Sequence, residues 1–109
     1  MMGYPEKNKG YQMWVTDLQL IATDAPSGFK IMDECFDIAE MLIKKNISYG
    51  NSALEPIRIF SKADSKEQIR VRIDDKLNRI QNDQAFPGDN DIDDLIGYLI
   101  LLKIANKSN

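Results

Sequence analysis

Three observations predict an all-α fold: a small bundle of about four helices, with an ordered loop after the central helix, completed by oligomerisation. Apolar residues recur at three- and four-residue steps in separate segments, and clusters of Gly, Pro, Asn, Asp and Ser punctuate the stretches between them. At 109 residues and 43% hydrophobic content, the chain can bury one modest core and has no room for a second interior.

Met1 to Gly10, MMGYPEKNKG, is polar and broken by Gly3, Pro5 and Gly10, which reads as an arm without regular structure. From Tyr11 to Ala22, Tyr11, Trp14, Leu18 and Ile21 share one helical face, a better fit than the strand that Val15, Thr16 and Ile21 would tolerate. Asp24, Pro26, Ser27 and Gly28 then read as a turn. Residues 1–28 are thus an arm and an accessory helix, and residues 29–109 form the main helical domain.

Phe29 to Lys45 carries the clearest helical pattern. Met32, Cys35, Phe36, Ala39, Leu42 and Ile43 recur at helical steps, and Ile31, Ile38 and Met41 widen the apolar face, so this helix is expected at the centre of the core. Its polar remainder is the stripe Asp33, Asp37, Glu40 and Lys44, with Glu34 beside it. Asn46 to Phe60 opens with the turn residues Ser48, Gly50, Asn51 and Ser52, and Pro56 disfavours helix at Glu55, so the segment reads as an ordered loop with apolar anchors at Leu54, Ile57, Ile59 and Phe60.

The next helix starts near Asp64 or Ser65, where Asp64 with Glu67, or Ser65 with Gln68, has capping-box spacing. It runs to about Gln81, with Ile69, Ile73, Leu77 and Ile80 as its buried stripe and Arg72, Asp75, Lys76 and Arg79 along one flank. Asn82 to Asn90 is a loop by its composition, and the last helix begins at Asp91. Between Leu95 and Ile104 that helix is apolar almost all round, which predicts burial against another subunit as well as its own core.

Composition excludes several functions. The 14 basic and 17 acidic residues leave a net charge of -3, which argues against bulk binding of nucleic acid. No apolar run is long enough to span a membrane and the N-terminus lacks the apolar stretch of a signal peptide, so a cytoplasmic protein without membrane partners is expected. Cys35 is the only cysteine and there is no histidine. Intrachain disulfides, Cys-rich zinc sites and His-based triads are therefore ruled out, and any catalysis must use carboxylates, lysines, tyrosines or a hard metal ion.

Three groups have residue types suited to chemistry. Asp33, Glu34, Asp37 and Glu40 point the same way on one helix and suit Mg2+ or Mn2+, unless Lys44 simply pairs with Glu40 on a solvated face. Asp91, Asp93 and Asp94 open the last helix, where the macrodipole stabilises negative charge; Glu34 with Asp37 and Asp91 with Asp94 could also grip a metal between two helices. The loop Tyr49, Gly50, Asn51 and Ser52 offers a ring for stacking, a close backbone approach and polar groups for a base, sugar or phosphate. The flank Arg72, Asp75, Lys76 and Arg79, with Arg58 and Lys62 adding charge, suits phosphate oxygens, although Arg72 to Asp75 and Asp75 to Arg79 are also ordinary intrahelical salt-bridge spacings.

In order along the chain, YGNSALEPIRIF, RVRIDDKLNRI and DIDDLIGYLILL resemble the phage and prophage nucleotide-modification-associated domain family, over Glu34 to Leu102. The matching blocks are Lys45 to Gly50, Arg72 through Ile80, and Asp91 through Leu102. That family is in turn distantly similar to the all-helical nucleoside triphosphate pyrophosphohydrolases of the MazG and dUTPase kind, whose metal site is E-x-x-E followed by E-x-x-D. This chain departs from that motif: it has Glu34-x-x-Asp37-x-x-Glu40, and its second pair, Asp91-x-x-Asp94, comes late.

The resemblance implies that residues 29–109 bind a nucleotide. Three activities follow as expectations. One is metal-dependent hydrolysis of a phosphoanhydride, with Glu34, Asp37, Asp91 and Asp94 holding Mg2+ and Lys76 or Arg79 stabilising the leaving phosphate. Another is an anti-defence sponge, a small phage homo-oligomer that sequesters an immune signalling nucleotide intact. The third is a protein-binding inhibitor of a host complex.

Overall fold

The computed structural model describes residues 11–82, 88 and 90–107, with side chains from Trp14 onward. It is all-α: α1 (Tyr11–Ala22), α2 (Gly28–Tyr49), α3 (Ser65–Asn82) and α4 (Asp91–Lys107), with no strand among the described residues. The arm expected over residues 1–10 and most of the loop expected over residues 82–90 lie outside the described residues. Among those described, no helix is long and apolar enough to cross a membrane.

The chain divides into two compact units, residues 1–37 and 38–109, with α2 running through the boundary. In the first unit, α1 ends in a hydrogen-bonded turn: Asp24 N–H donates to Ile21 O at 3.0 Å, Ala25 N–H to Ala22 O at 3.1 Å, and Gly28 N–H to Ala25 O at 3.2 Å. The chain doubles back so tightly that Gly28 sits on the Ala22 backbone, and a Cβ at Gly28 would lie 2.7 Å from Ala22 Cα. Only glycine fits so close an approach. The face expected for α1 is shifted: Ala22 is buried, whereas Ile21 is 64% exposed.

In the second unit, α3 and α4 pack side by side. Asp64 caps α3, its Oδ1 accepting the Glu67 N–H at 2.9 Å, and Asn90 caps α4, its Oδ1 accepting the Asp93 N–H at 3.0 Å. The C-terminal half of α2 meets α4 at Gly97, where an added Cβ would lie 2.9 Å from Leu42 Cδ2.

Three expectations about burial are corrected. In α2, expected at the centre of the core, Ile38 is the only buried apolar residue among those described, and Phe29, Ile31, Phe36 and Ile43 are exposed. Of the stripe expected on α3, Ile69 is buried, but Leu77 and Ile80 are exposed. That end of α3 turns charged rather than apolar side chains toward α4, as described below. The anchors expected at Ile57, Ile59 and Phe60 are exposed as well, Phe60 by 97%.

Candidate functional site

The site grows from the way α2 ends. The helix runs four residues past Lys45, to Tyr49, into the segment whose turn residues predict a loop. Gly50 then takes a left-handed backbone (φ 61°), and Asn51 N–H reaches back to Asn46 O at 3.2 Å, the six-to-one bond of a Schellman cap. Gly50 therefore serves the helix end through its positive φ. Asn51 is itself left-handed (φ 64°), and its side chain is committed to the loop: Asn46 Nδ2 donates to its Oδ1 at 2.8 Å, and its Nδ2 donates to Glu55 Oε1 at 2.6 Å.

Beside this cap lies a cavity of about 400 Å³, within the second unit, to which α2, the 50–53 turn, α3 and α4 all contribute. Its polar lining comes from Tyr49, Asn51 and Ser52 near the cap, Gln68 and Arg72 of α3, and Asp94 and Tyr98 of α4. Lys45, Asn46 and an apolar floor of Met41, Leu42, Ile69 and Leu101 complete it. The volume falls within the roughly 300 to 1,000 Å³ of small-molecule sites. Gln68 is oriented by a hydrogen bond from its Nε2 to Ala63 O at 2.8 Å, which leaves its amide oxygen as an acceptor.

A charge clasp ties the helices together at one edge of the cavity. Asp94 accepts from Lys45 at 3.1 Å through Oδ1 and from Lys76 at 3.0 Å through Oδ2, while Asp91 Oδ1 faces Lys76 at 3.3 Å and Arg79 at 3.9 Å. The Lys76, Asp91 and Asp94 side chains are only 13%, 9% and 16% exposed. Burial pulls the Lys76 ammonium toward a lower pKa, but its hydrogen bonds to Asp94 and Asp91 outweigh this and hold it above the ordinary lysine value. Burial pushes Asp94 up in the same way, and the hydrogen bonds from Lys76 and Lys45 bring it below the usual carboxylate value.

Arg72 stands apart. No carboxylate among the described residues forms an ion pair with it, although it lines the cavity. With Lys45 and Arg72 against Asp94, the lining carries two positive charges and one negative.

The residues expected to act together therefore divide. Tyr49, Asn51, Ser52, Arg72 and Asp94 share the cavity, whereas Lys76, Arg79 and Asp91 meet in the clasp and are not among the lining residues. Asp75 and Arg58 are exposed and away from the cavity lining, and the Arg58 carbonyl accepts from Lys62 at 3.5 Å. Glu34 and Asp37 are exposed on the part of α2 that belongs to the first unit, and the Glu40–Lys44 pair at 3.0 Å is solvated.

Of the carboxylates expected to hold a metal, Glu34 and Asp37 belong to the first unit, and Asp91 and Asp94 to the clasp of the second. Ammonium groups take both oxygens of Asp94, and no group of three or more candidate ligands gathers among the described residues. Gln68 and Tyr98 escaped the sequence reading because each sits within a helical pattern and looks like any interfacial polar residue; only the fold points them at the cap of α2. No family model, curated protein or solved structure matches this chain.

Proposed function

We propose that this protein binds a small phosphorylated nucleotide in the cavity beside the end of α2. The observation that carries the proposal is an arginine without a carboxylate partner among the described residues, lining a concave site that also holds two tyrosines and uncommitted polar groups. A guanidinium presents parallel N–H donors that match two phosphate oxygens, so Arg72 is the anchor for the anion. Tyr49 and Tyr98 supply rings against which a base stacks, and Ser52 with the Gln68 oxygen supplies hydrogen bonds to its edge or to a sugar. The resemblance to nucleotide-modification-associated domains supports the same ligand class.

The clasp favours retention of the ligand over its hydrolysis. Asp91 and Asp94 neutralise Lys76 and Arg79, so the carboxylates that a metal would need and the cations that a leaving phosphate would need satisfy each other. A cytoplasmic sponge for a signalling nucleotide is the form of this reading that needs no further residue.

Thermal-shift measurements with mono-, tri- and cyclic nucleotides, each with and without magnesium, test the proposal. A ligand at 100 times its dissociation constant adds about 2.7 kcal/mol of stability, which raises Tm by roughly 10 to 20 °C in a domain of this size. Arg72→Ala abolishes that shift while leaving the unliganded Tm within a few degrees. Recovery of intact nucleotide from the denatured complex identifies a sponge, and magnesium-dependent turnover identifies a hydrolase instead. No shift with any nucleotide sinks the proposal and leaves a protein-binding inhibitor as the reading to pursue.

A further inference from the structure

The outward face of α4 has no use in the ligand site. Asp94, Gly97, Tyr98 and Leu101 line the cavity from one side of the helix. At about 100° per residue, Ile92, Ile96, Leu99 and Ile100 fall on the other side, within an arc of roughly 100°, with Ile104 at its edge. Their exposures run from 36% for Ile100 to 54% for Ile92, so five large aliphatic side chains line one solvent-facing stripe. Contiguous exposure of this kind marks an interaction surface.

Its charges identify the occupant. Lys103 sits within the same arc and Asp93 at its margin, and neither forms an ion pair among the described residues. We propose that this stripe is a two-fold interface between copies of this chain, in which two α4 helices pack antiparallel. With the two-fold axis level with Tyr98, Ile92 lies level with the partner's Ile104 and Ile96 with the partner's Ile100. The same register sets Asp93 level with the partner's Lys103. The stripe thus carries its own complement, as an isologous interface requires. A parallel pairing would set Asp93 against the partner's Asp93 and Lys103 against the partner's Lys103, which like-charge repulsion disfavours. Antiparallel packing also sets the acidic start of each helix beside the other's end, where Lys107 adds a second basic residue.

Light scattering coupled to size-exclusion chromatography tests this on the full chain, at protein concentrations on the order of 50 µM because dimer mass depends on protomer concentration. The expected solution mass is twice the 12.4 kDa of the chain, and a mass of one chain overturns the proposal. Asp93→Lys and Lys103→Asp each weaken the dimer by about tenfold or more, and the two reversals combined restore it, since the pairing is complementary again. Failure of either single reversal to weaken the dimer, or of the combination to restore it, rejects the antiparallel register. Ile96→Glu, at an exposed position, yields a monomer with unchanged far-UV circular dichroism; a dimer that survives this change also overturns the assignment. Because the stripe and the cavity lie on opposite sides of α4, these outcomes are independent of whether a nucleotide binds.

Discussion

Asp94→Asn tests the charge clasp most directly. The substitution keeps the shape of the side chain but removes the charge that faces Lys45 at 3.1 Å and Lys76 at 3.0 Å. Stranding a buried charge costs about 3 to 5 kcal/mol, and that is the upper bound here. Two features reduce it. Asp91 still accepts from Lys76 at 3.3 Å, and Lys45, whose side chain is 48% exposed, can turn to water. Loss of charge-assisted hydrogen bonds of about 1.5 to 3 kcal/mol is the better guide, so the expected destabilisation is about 2 kcal/mol, or roughly 8 to 16 °C in Tm. The pH dependence follows from the direction of the Asp94 shift. Its folded pKa lies below the ordinary carboxylate value, so its contribution is fully present above that value and fades as pH falls through the lowered pKa. The gap between wild type and Asp94→Asn is therefore wide at neutral pH and closes in strong acid, where both side chains are neutral. Melts followed by circular dichroism across that range measure it. A gap under about 2 °C at neutral pH, or one unchanged in acid, would refute the assignment of Asp94 as a half-buried ionised clasp.

Other substitutions test the packing of each unit. Gly97→Ala sets a methyl 2.9 Å from Leu42 Cδ2 and 3.5 Å from Met41 Cε, both ends of flexible side chains that can shift; overpacking of about 1 kcal/mol then offsets a helix-propensity gain of about 1, and stability in urea unfolding changes by less than about 1 kcal/mol. Gly28→Ala meets the unyielding backbone of Ala22 instead of a side-chain end, so it costs more, about 2 to 3 kcal/mol, with loss of α1 helicity by circular dichroism or faster proteolysis near Thr23. Asp64→Ala removes the acceptor for the Glu67 N–H and lowers stability by about 1 kcal/mol in the same urea assay, whereas Asp64→Asn retains most of it.

Local chemistry made the helices legible. The pattern from Tyr11 to Ala22 specified α1 at both ends, and the two overlapping capping-box spacings at Asp64 and Ser65 located the start of α3 to within a residue, the structure selecting Asp64, because these signals act between residues three or four apart. The end of α2 was misread for a related reason. Ser48, Gly50 and Asn51 are all turn formers by residue type, but the cap needs positive φ only at Gly50 and Asn51, so Ser48 and Tyr49 complete the helix.

Residue types suited to chemistry were also visible in the one-dimensional pattern, including Arg72, the Tyr49 to Ser52 segment and the acidic opening of α4. Their division into roles was not. Lys45 and Asp94 are 49 positions apart, and Lys76 and Asp91 are 15 apart, so nothing in their neighbourhoods along the chain reveals that each neutralises another. The same holds for burial: apolar periodicity shows that a residue could face a core, but whether Leu77 or Ile100 is covered depends on which neighbours the packed helices bring over it. The sequence by itself determined four helices, most of their ends and the kinds of chemistry open to a chain without histidine. Tertiary structure decided that the acidic pair of α4 answers lysines and that Arg72 is left to face a cavity, because charge pairing and desolvation are set by distances in space.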